Sequence, residues 1–271
     1  MTYNAQMEIA DEIKQRWENY RKANNDWPLA RENEIKTIFE WLNPGEGETI
    51  LEVGTGSGAL TFPIAEQVKN GQVLTIDVRQ DNLDNVTEKN KNRLPIEVRL
   101  VPADNMLGDM ESDKFDAVTN IATIHHFDNR RMGTGEKGRK KAFQDFYRIL
   151  KPGGRLVVAD VVDGGISQKY FDAVDNPTHC FPEGHPHDFL SAGRLRELLA
   201  EAGFKNIKVE TKLVPWKFGS PQEAENFVHT LHNAKCSPEE SFDLASKMLG
   251  FSQKDDHYEL GWEMFFASAT K

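Results

Sequence analysis

The sequence predicts an α/β fold of the doubly wound type, with a mostly parallel sheet, and three observations carry that expectation. From residue 49 onward, strand-like apolar runs alternate with helix-periodic runs. A glycine-rich turn, Gly54-Thr55-Gly56-Ser57-Gly58, joins the first of these strands directly to a helix. The strand-like runs number seven, which suits one sheet covered by helices on both faces.

At the N-terminus, Ile9, Ile13, Trp17 and Tyr20 recur at helical spacing, so an amphipathic helix is expected from about residue 5 to 20. Asn24-Asn25-Asp26-Trp27-Pro28 interrupts it, and a second helix carries Ile35, Ile38, Phe39 and Leu42 to a stop near Pro44-Gly45. Residues 1–44 are thus read as an N-terminal helical cap, and 45–271 as the main domain. Strands follow at 49–53, 72–77, 96–101, 115–120 and 155–162, with helices near 59–69, 80–92 and 139–150. The connection 163–190 far exceeds the roughly 2 to 6 residues of an ordinary crossover loop and is read as a lid insertion. Ser191 is a candidate N-cap for a helix over 194–202 that stops at Gly203. A strand at about 206–214, helices near 221–234 and 238–249, and a last strand at about 258–269 complete the chain.

Composition narrows the class. With 38% hydrophobic and 28% charged residues over 271 positions, the chain can bury a core. A net charge of -10 weighs against nucleic acid as the main partner, because such proteins carry a basic footprint. Cys180 and Cys236 stand far apart in no ligand spacing, so no disulfide framework is expected and a cytoplasmic location is the natural one. Charged residues from Asp11 to Glu18 break the N-terminal apolar pattern, which excludes a signal peptide or membrane span there. The oligomeric state is left open, a homodimer included.

The glycine turn fits two cofactors. Glycine gives the turn its backbone angles and lets a ligand approach closely. With Ala59 as last residue, the run also matches a dinucleotide fingerprint, and Asp77 would meet a ribose in either case. Three features select a sulfonium cofactor over a nicotinamide one. Glu52 precedes the first glycine by two residues, where a carboxylate suits a sulfonium and an ammonium better than a diphosphate. Leu150-Lys151-Pro152-Gly153-Gly154-Arg155 forms a late helix-to-strand turn. A single strand then follows a pair of helices at the C-terminus.

Taken together, 50–60, Asp77, Asp104, the run from Phe115-Asp116-Ala117-Val118 through His125-His126-Phe127, and 150–154 resemble class I S-adenosylmethionine-dependent methyltransferases. The ubiquinone/menaquinone-biosynthesis-like, small-molecule group is the most similar. The resemblance covers residues 45 to 162 well and the rest by order of elements. It implies a Rossmann-like methyltransferase fold whose seventh strand is antiparallel. It also implies S-adenosyl-L-methionine as cofactor, with Gly54, Thr55, Gly56 and Gly58 along its methionyl part and ribose. Glu52 would support the loop or the cofactor's amino group. Asp77 would hold the ribose hydroxyls, Val78 would pack on the adenine, and Asp104 would accept from the adenine amino group beside Asn105 and Met106. Asn120 and Ile121 would approach the methyl.

Methyl transfer needs alignment more than chemistry from the protein, and a base only when the acceptor arrives protonated. His126, with His125 behind it, is the candidate base; packing of the loop is the alternative. His179, His185 and His187 lie in the lid segment and are read as acceptor contacts rather than a metal site. Trp17, Tyr20 and Trp27 could wall an acceptor, though helix packing accounts for Trp17 equally well. The basic, glycine-rich run 129–139 is read as a solvated loop. After the fourth strand stands Asn120-Ile121-Ala122-Thr123 rather than the Pro-Pro-aromatic run of enzymes that methylate base nitrogens. The expected activity is therefore methylation of a small metabolite at oxygen or nitrogen. Carbon methylation of a quinone-like acceptor, and a non-catalytic S-adenosylmethionine-binding protein, are the alternatives.

Overall fold

The computed structural model describes residues 3–102, 107–128, 136–174, 179 and 188–271, with side chains from residue 14 onward. The chain divides into two compact units. The larger comprises Ile35–Gly164, Pro186–Lys212 and Met264–Lys271; the smaller comprises Met1–Glu34, Gly165–His185 and Leu213–Glu263. This division falls at residue 34 rather than 44. It also draws the C-terminal stretch 213–263 into the unit that holds the first helix, a long-range pairing that periodicity cannot show.

The larger unit is built on β1 (Thr49–Val53), β2 (Gln72–Asp77), β3 (Ile96–Leu100), β4 (Phe115–Ile121), β5 (Leu150–Val161), β6 (Lys205–Leu213) and β10 (Glu263–Thr270). Their order is β3-β2-β1-β4-β5-β10-β6. Strands β1 to β5 pair in parallel, and β10 runs antiparallel to β5, as expected. The seven-stranded sheet is flanked by α2 (Glu32–Leu42), α3 (Thr61–Val68), α4 (Gln80–Asn90), α5 (Lys137–Ile149) and α7 (Ala192–Glu201). Alternation along β1 turns Leu51 and Val53 to one face and Ile50 and Glu52 to the other. On the Leu51 face, Leu74, Ile76, Val118, Leu156 and Val158 form one buried cluster with Phe143, Phe146 and Ile149 of α5 and Leu195, Leu198 and Leu199 of α7. Each such aliphatic or aromatic side chain contributes about 1.5–3 kcal/mol on burial. Strand order reverses between β1 and β4, and the crevice outside the carboxyl ends of strands at such a switch is where open α/β sheets bind ligands.

Three sequence expectations shift. The turn 150–154 lies within β5 as a bulge: Phe115 pairs with Leu150, but Ala117 pairs with Arg155. Lys151 Nζ reaches both oxygens of Asp116 at 2.8 Å, and Gly153 takes a φ of +79°. The expected last strand is two strands, β9 (Tyr258–Leu260) and β10, because Gly261-Trp262 turns the chain from one sheet to the other. The first helix, α1, runs over Tyr3–Asp26 and ends only where Trp27-Pro28 stops it.

In the smaller unit, β7 (Trp216–Phe218), β9 and β8 (Phe251–Gln253) form a three-stranded antiparallel sheet that the sequence reading did not anticipate. Strands of three residues are too short to show a period. Helix α6 (Ile166–Val174) occupies part of the expected lid. Helices α8 (Pro221–His232) and α9 (Pro238–Ala245) start where the sequence caps them: Ser220 and Ser237 each accept from the backbone three residues on, and a proline follows each. The core is aromatic. Trp216 stacks on Trp262 at 4.0 Å, with Phe227 edge-on to Trp216 at 5.1 Å and Tyr170 edge-on to Trp262 at 6.5 Å. Beside it, fully buried Glu34 accepts from Trp216 Nε1 at 2.5 Å and from Arg31 at 2.6 and 2.9 Å, and Arg31 also donates to the Tyr20 hydroxyl at 2.8 Å. Among the described residues, no helix is long and apolar enough to cross a membrane.

Candidate active site

The site is assembled at the carboxyl ends of β1, β2 and β4. The chain leaves β1 with Gly54, Gly56 and Gly58 at φ of +91°, +52° and +84°, values that disfavour any side chain. The three glycines have different reasons. A Cβ on Gly54 would lie 2.4 Å from Thr123 Oγ1, and one on Gly58 would strike Val86 and Phe62 at 2.8 and 2.9 Å. A Cβ on Gly56 would meet nothing within 4 Å. Gly54 and Gly58 are therefore required by packing, and Gly56 borders open space.

Behind the loop, Glu52 is buried and accepts from Thr61 Oγ1 at 2.5 Å and Thr75 Oγ1 at 2.8 Å. Thr55 Oγ1 lies 2.7 Å from Thr75 Oγ1, which extends this hydroxyl network to the loop itself. Burial pushes the Glu52 pKa up to about 7; the two threonine hydrogen bonds oppose the rise and neighbouring Asp77 adds to it. In front of the loop, Asp77 ends β2. Its Oδ2 accepts from Gly56 N at 3.1 Å and Asn82 Nδ2 at 3.0 Å, and its Oδ1 accepts from Arg79 N at 2.9 Å. The carboxylate is thereby oriented by groups from the loop, the turn and α4. Val78 follows it and is 50% exposed; Leu100, opposite Asp77 in the register, is 51% exposed. Two large apolar side chains thus stand open at this edge.

Beyond β4, Asn120 is fully buried, and neither Nδ2 nor Oδ1 has a described partner. A buried amide without partners is costly. Ile121 is half-buried, and Ala122 takes a φ of +51°, a strained value for a residue with a side chain. Thr123 then packs on Gly54 and leads into the single 3₁₀ turn Ile124–His126. His126 is exposed and His125 buried, with their rings 4.0 Å apart. His125 Nδ1 lies 2.8 Å from Asp160 Oδ1, and its backbone N–H donates to Asp160 Oδ2 at 3.0 Å. Asp160, near the end of β5, was missed by sequence reading, since nothing local links it to a histidine 35 residues earlier.

The structure therefore brings together Glu52, the glycine loop, Asp77, Val78, Asn120, Ile121 and His125. Asp104, Asn105, Met106, His185 and His187 lie outside the described residues. Trp17, Tyr20, Trp27 and His179 belong to the smaller unit. There Trp17 meets Tyr20 edge-on at 6.1 Å, Trp27 meets Phe227 at 6.3 Å, and the His179 carbonyl accepts from Lys235 N at 2.9 Å. Among the described residues no group of three His, Cys, Asp or Glu is placed to hold a metal ion.

Residues 51–158 match the family model described as a methyltransferase domain. An O-methyltransferase of Pyrenophora dematioidea is 29% identical over 202 residues, 71% of this chain and 67% of that protein. The demethylmenaquinone methyltransferase of Lactobacillus johnsonii is 28% identical over 217 residues, 72% of this chain and 83% of the relative. A tRNA N(3)-methylcytidine methyltransferase of Schizosaccharomyces pombe is 27% identical over 211 residues, covering 73% and 82%. The chain spans between 56% and 83% of the length of the first curated relatives it matches. Among solved structures, phosphoethanolamine N-methyltransferase 2 of Haemonchus contortus, in complex with S-adenosyl-L-methionine, superposes with a TM-score of 0.60 at 20% identity, over 94% of this chain and 56% of that one. At such identity this likeness speaks for the fold.

Proposed function

We propose that this chain, a class I S-adenosylmethionine-dependent methyltransferase, transfers the methyl group to a small-molecule acceptor at oxygen or nitrogen, at the carboxyl edge of β1, β2 and β4. The observation that carries the placement is the open space at Gly56, flanked by the oriented Asp77 carboxylate and by the Asn120 amide, which has no partner among the described residues. These groups fit the cofactor's needs. A carboxylate held by three N–H groups is set to receive a pair of ribose hydroxyls. Exposed Val78 suits an adenine face, and Asn120 offers one donor pair and one acceptor to the methionyl end. Glu52, spent on Thr61 and Thr75, braces the loop from behind rather than reaching the ligand. Asp104, Asn105 and Met106 remain assigned to the adenine by resemblance alone.

When bound, S-adenosylmethionine supplies an electrophilic methyl on sulfur and takes up the electron pair of the bond that breaks. The protein's share is to align the acceptor, exclude water and remove a proton where the acceptor carries one. The O-methyltransferase relative supports an oxygen acceptor, and the demethylmenaquinone relative supports a quinone-like one as runner-up. The net charge of -10 speaks against a tRNA acceptor despite the similarity to a tRNA enzyme. The test is binding of S-adenosylmethionine by calorimetry, followed by a screen of small hydroxyl, amine and quinol acceptors for release of S-adenosylhomocysteine. Binding with turnover of such a compound is the expected result. Binding with no transfer to any compound would replace the enzyme reading with that of a cofactor-binding protein, and transfer to tRNA alone would overturn the acceptor class.

A further inference from the structure

We propose that Glu52, acting from behind the glycine loop, is a specificity-determining residue whose buried carboxylate favours the cationic sulfonium donor over its uncharged thioether product, and that donor binding drives a proton off it. The inference rests on the methyltransferase reading above and deepens it, by naming the group that tells the donor from what the donor becomes.

The carboxylate is held by a chain of hydroxyls. Thr61 at the start of α3 and Thr75 of β2 both donate to its Oε2, at 2.5 and 2.8 Å. Thr75 has one hydroxyl hydrogen, and giving it to Glu52 leaves Thr55 as the donor in the 2.7 Å contact between the two threonines. The hydrogens therefore run from the glycine loop through Thr75 to the carboxylate. Thr119 lies opposite Glu52 in the β1–β4 register, so its side chain stands on the same face of the sheet. It is buried, and its Oγ1 has no hydrogen-bond partner among the described residues. Holding the loop does not require a charge here: a glutamine oxygen would accept from two threonines as well as a carboxylate oxygen does. What the acid adds is a charge that can be switched.

Two effects oppose one another at Glu52. Burial favours the neutral acid, the threonine donors favour the anion, and with Asp77 adding to the rise the pKa stands at about 7. The other titratable groups on the surrounding elements are placed elsewhere. Lys36 and Glu40 of α2, Glu66 of α3, and Asp84, Glu88 and Lys89 of α4 are exposed. Asp81 of α4 pairs with Arg79, and Asp116 of β4 pairs with Lys151. Thr119 faces Val157 in the register, so Asp160 of β5 alternates to the other face of the sheet.

An acid poised near neutrality answers a positive charge brought to the front of the loop. The sulfur of S-adenosylmethionine carries one; in S-adenosylhomocysteine the same sulfur is neutral. For unit charges roughly 10 Å apart at an effective dielectric of about 20, the attraction amounts to roughly a 15-fold change in a binding constant. Below pH 7 the free protein holds Glu52 protonated, so the donor gains this attraction only by displacing the proton. Above pH 7 the carboxylate is already ionised. Donor affinity therefore rises with pH through this window and product affinity rises less. The residue that draws the donor in holds the product more loosely.

Calorimetry tests this with S-adenosylmethionine and S-adenosylhomocysteine at pH 6.5, each in phosphate and in imidazole buffer, where the difference in heat counts protons released. The donor should release about half a proton per site, the product clearly less, and the difference should vanish in Glu52→Gln. From pH 5.5 to 7.5 the ratio of product Kd to donor Kd should rise about fivefold in the wild type and stay flat in Glu52→Gln. Thr75→Val removes one donor to the anion, so it should move the window of proton release to higher pH. A purely structural role for Glu52 would weaken both ligands together and leave their ratio independent of pH. Equal release with donor and product in the wild type, or none with the donor, overturns the proposal whether or not either variant folds. A difference that survives Glu52→Gln, or a window that Thr75→Val leaves in place, overturns it as well. Failure of both ligands to bind overturns the methyltransferase reading along with it.

Discussion

At the carboxyl edge of the large sheet, the groups that face the open space are set by short stretches of chain. Glu52 with Thr61, and Asp77 with Arg79 and Asn82, each place a carboxylate, part of its hydrogen-bond donor set and a helix start within about ten residues. The smaller unit is organised the other way. Its aromatic core joins Tyr170, Trp216, Phe227 and Trp262 from segments far apart in the chain, and its buried ion, Glu34, answers Arg31 nearby but Trp216 182 residues on. Sites made of local motifs can be read from sequence. Cores made of distant side chains cannot, and they carry a different vulnerability: the first loses function when altered, the second loses structure.

The largest effect should come from breaking the second kind of region. Trp216 is buried, stacked on Trp262 and bonded through its indole N–H to Glu34. Trp216→Ala removes the stack and leaves a buried carboxylate short of a donor, so a stability loss of about 3–5 kcal/mol is expected. Denaturant unfolding measures it, and a loss below about 1 kcal/mol would mean that this aromatic cluster is not the unit's core.

Next comes the local region. Asp77→Ala should cost about 1–3 kcal/mol of stability, through the N–H groups it leaves without an acceptor, while weakening S-adenosylmethionine binding by roughly 2–4 kcal/mol, about 30- to 1,000-fold in Kd, as for truncating one partner of a buried, hydrogen-bonded charge. Calorimetry decides it. Unaltered affinity would remove Asp77 from the cofactor site and with it the reading of the β2 edge.

The same contrast explains what the sequence made legible. The alternation of runs, the glycine turn and the strand-end Asp77 identified the sheet and the loop, because each is encoded in a few consecutive residues, whereas the antiparallel last strand was expected from the family resemblance alone. The Lys151–Gly154 bulge, the three-stranded sheet and the His125–Asp160 contact were not legible. A bulge keeps strand periodicity on either side of itself, strands of three residues carry no period, and a contact across β4 and β5 depends on which strands become neighbours. Which member of the His125-His126 pair is buried and bonded to Asp160 is likewise not written in the local sequence.

The two regions should also respond to pH in opposite directions, which gives the smallest and most selective test. Glu52 has an ordinary value of 4.5 and is raised to about 7, chiefly by burial. Between these values the folded protein holds a proton that the unfolded chain has released, so this group's contribution makes stability fall as pH rises through the window. The full penalty, up to about 3 kcal/mol, is present above pH 7. His232, half-buried with its ring edge-on to those of Tyr170 and Phe171, is lowered from 6.5 to about 3 by desolvation and by the Arg16 charge. The unfolded chain takes up a proton below pH 6.5 that the folded one refuses, so stability is complete above that value and declines by about 1.4 kcal/mol per unit below it, or about 2 kcal/mol at pH 5. Glu52→Gln should flatten the first slope and His232→Phe the second, each leaving the other in place. Unfolding free energies from pH 4.5 to 8 for the two variants separate the cases. An acid slope that outlasts His232→Phe would move the acid-sensitive element out of the smaller unit's core.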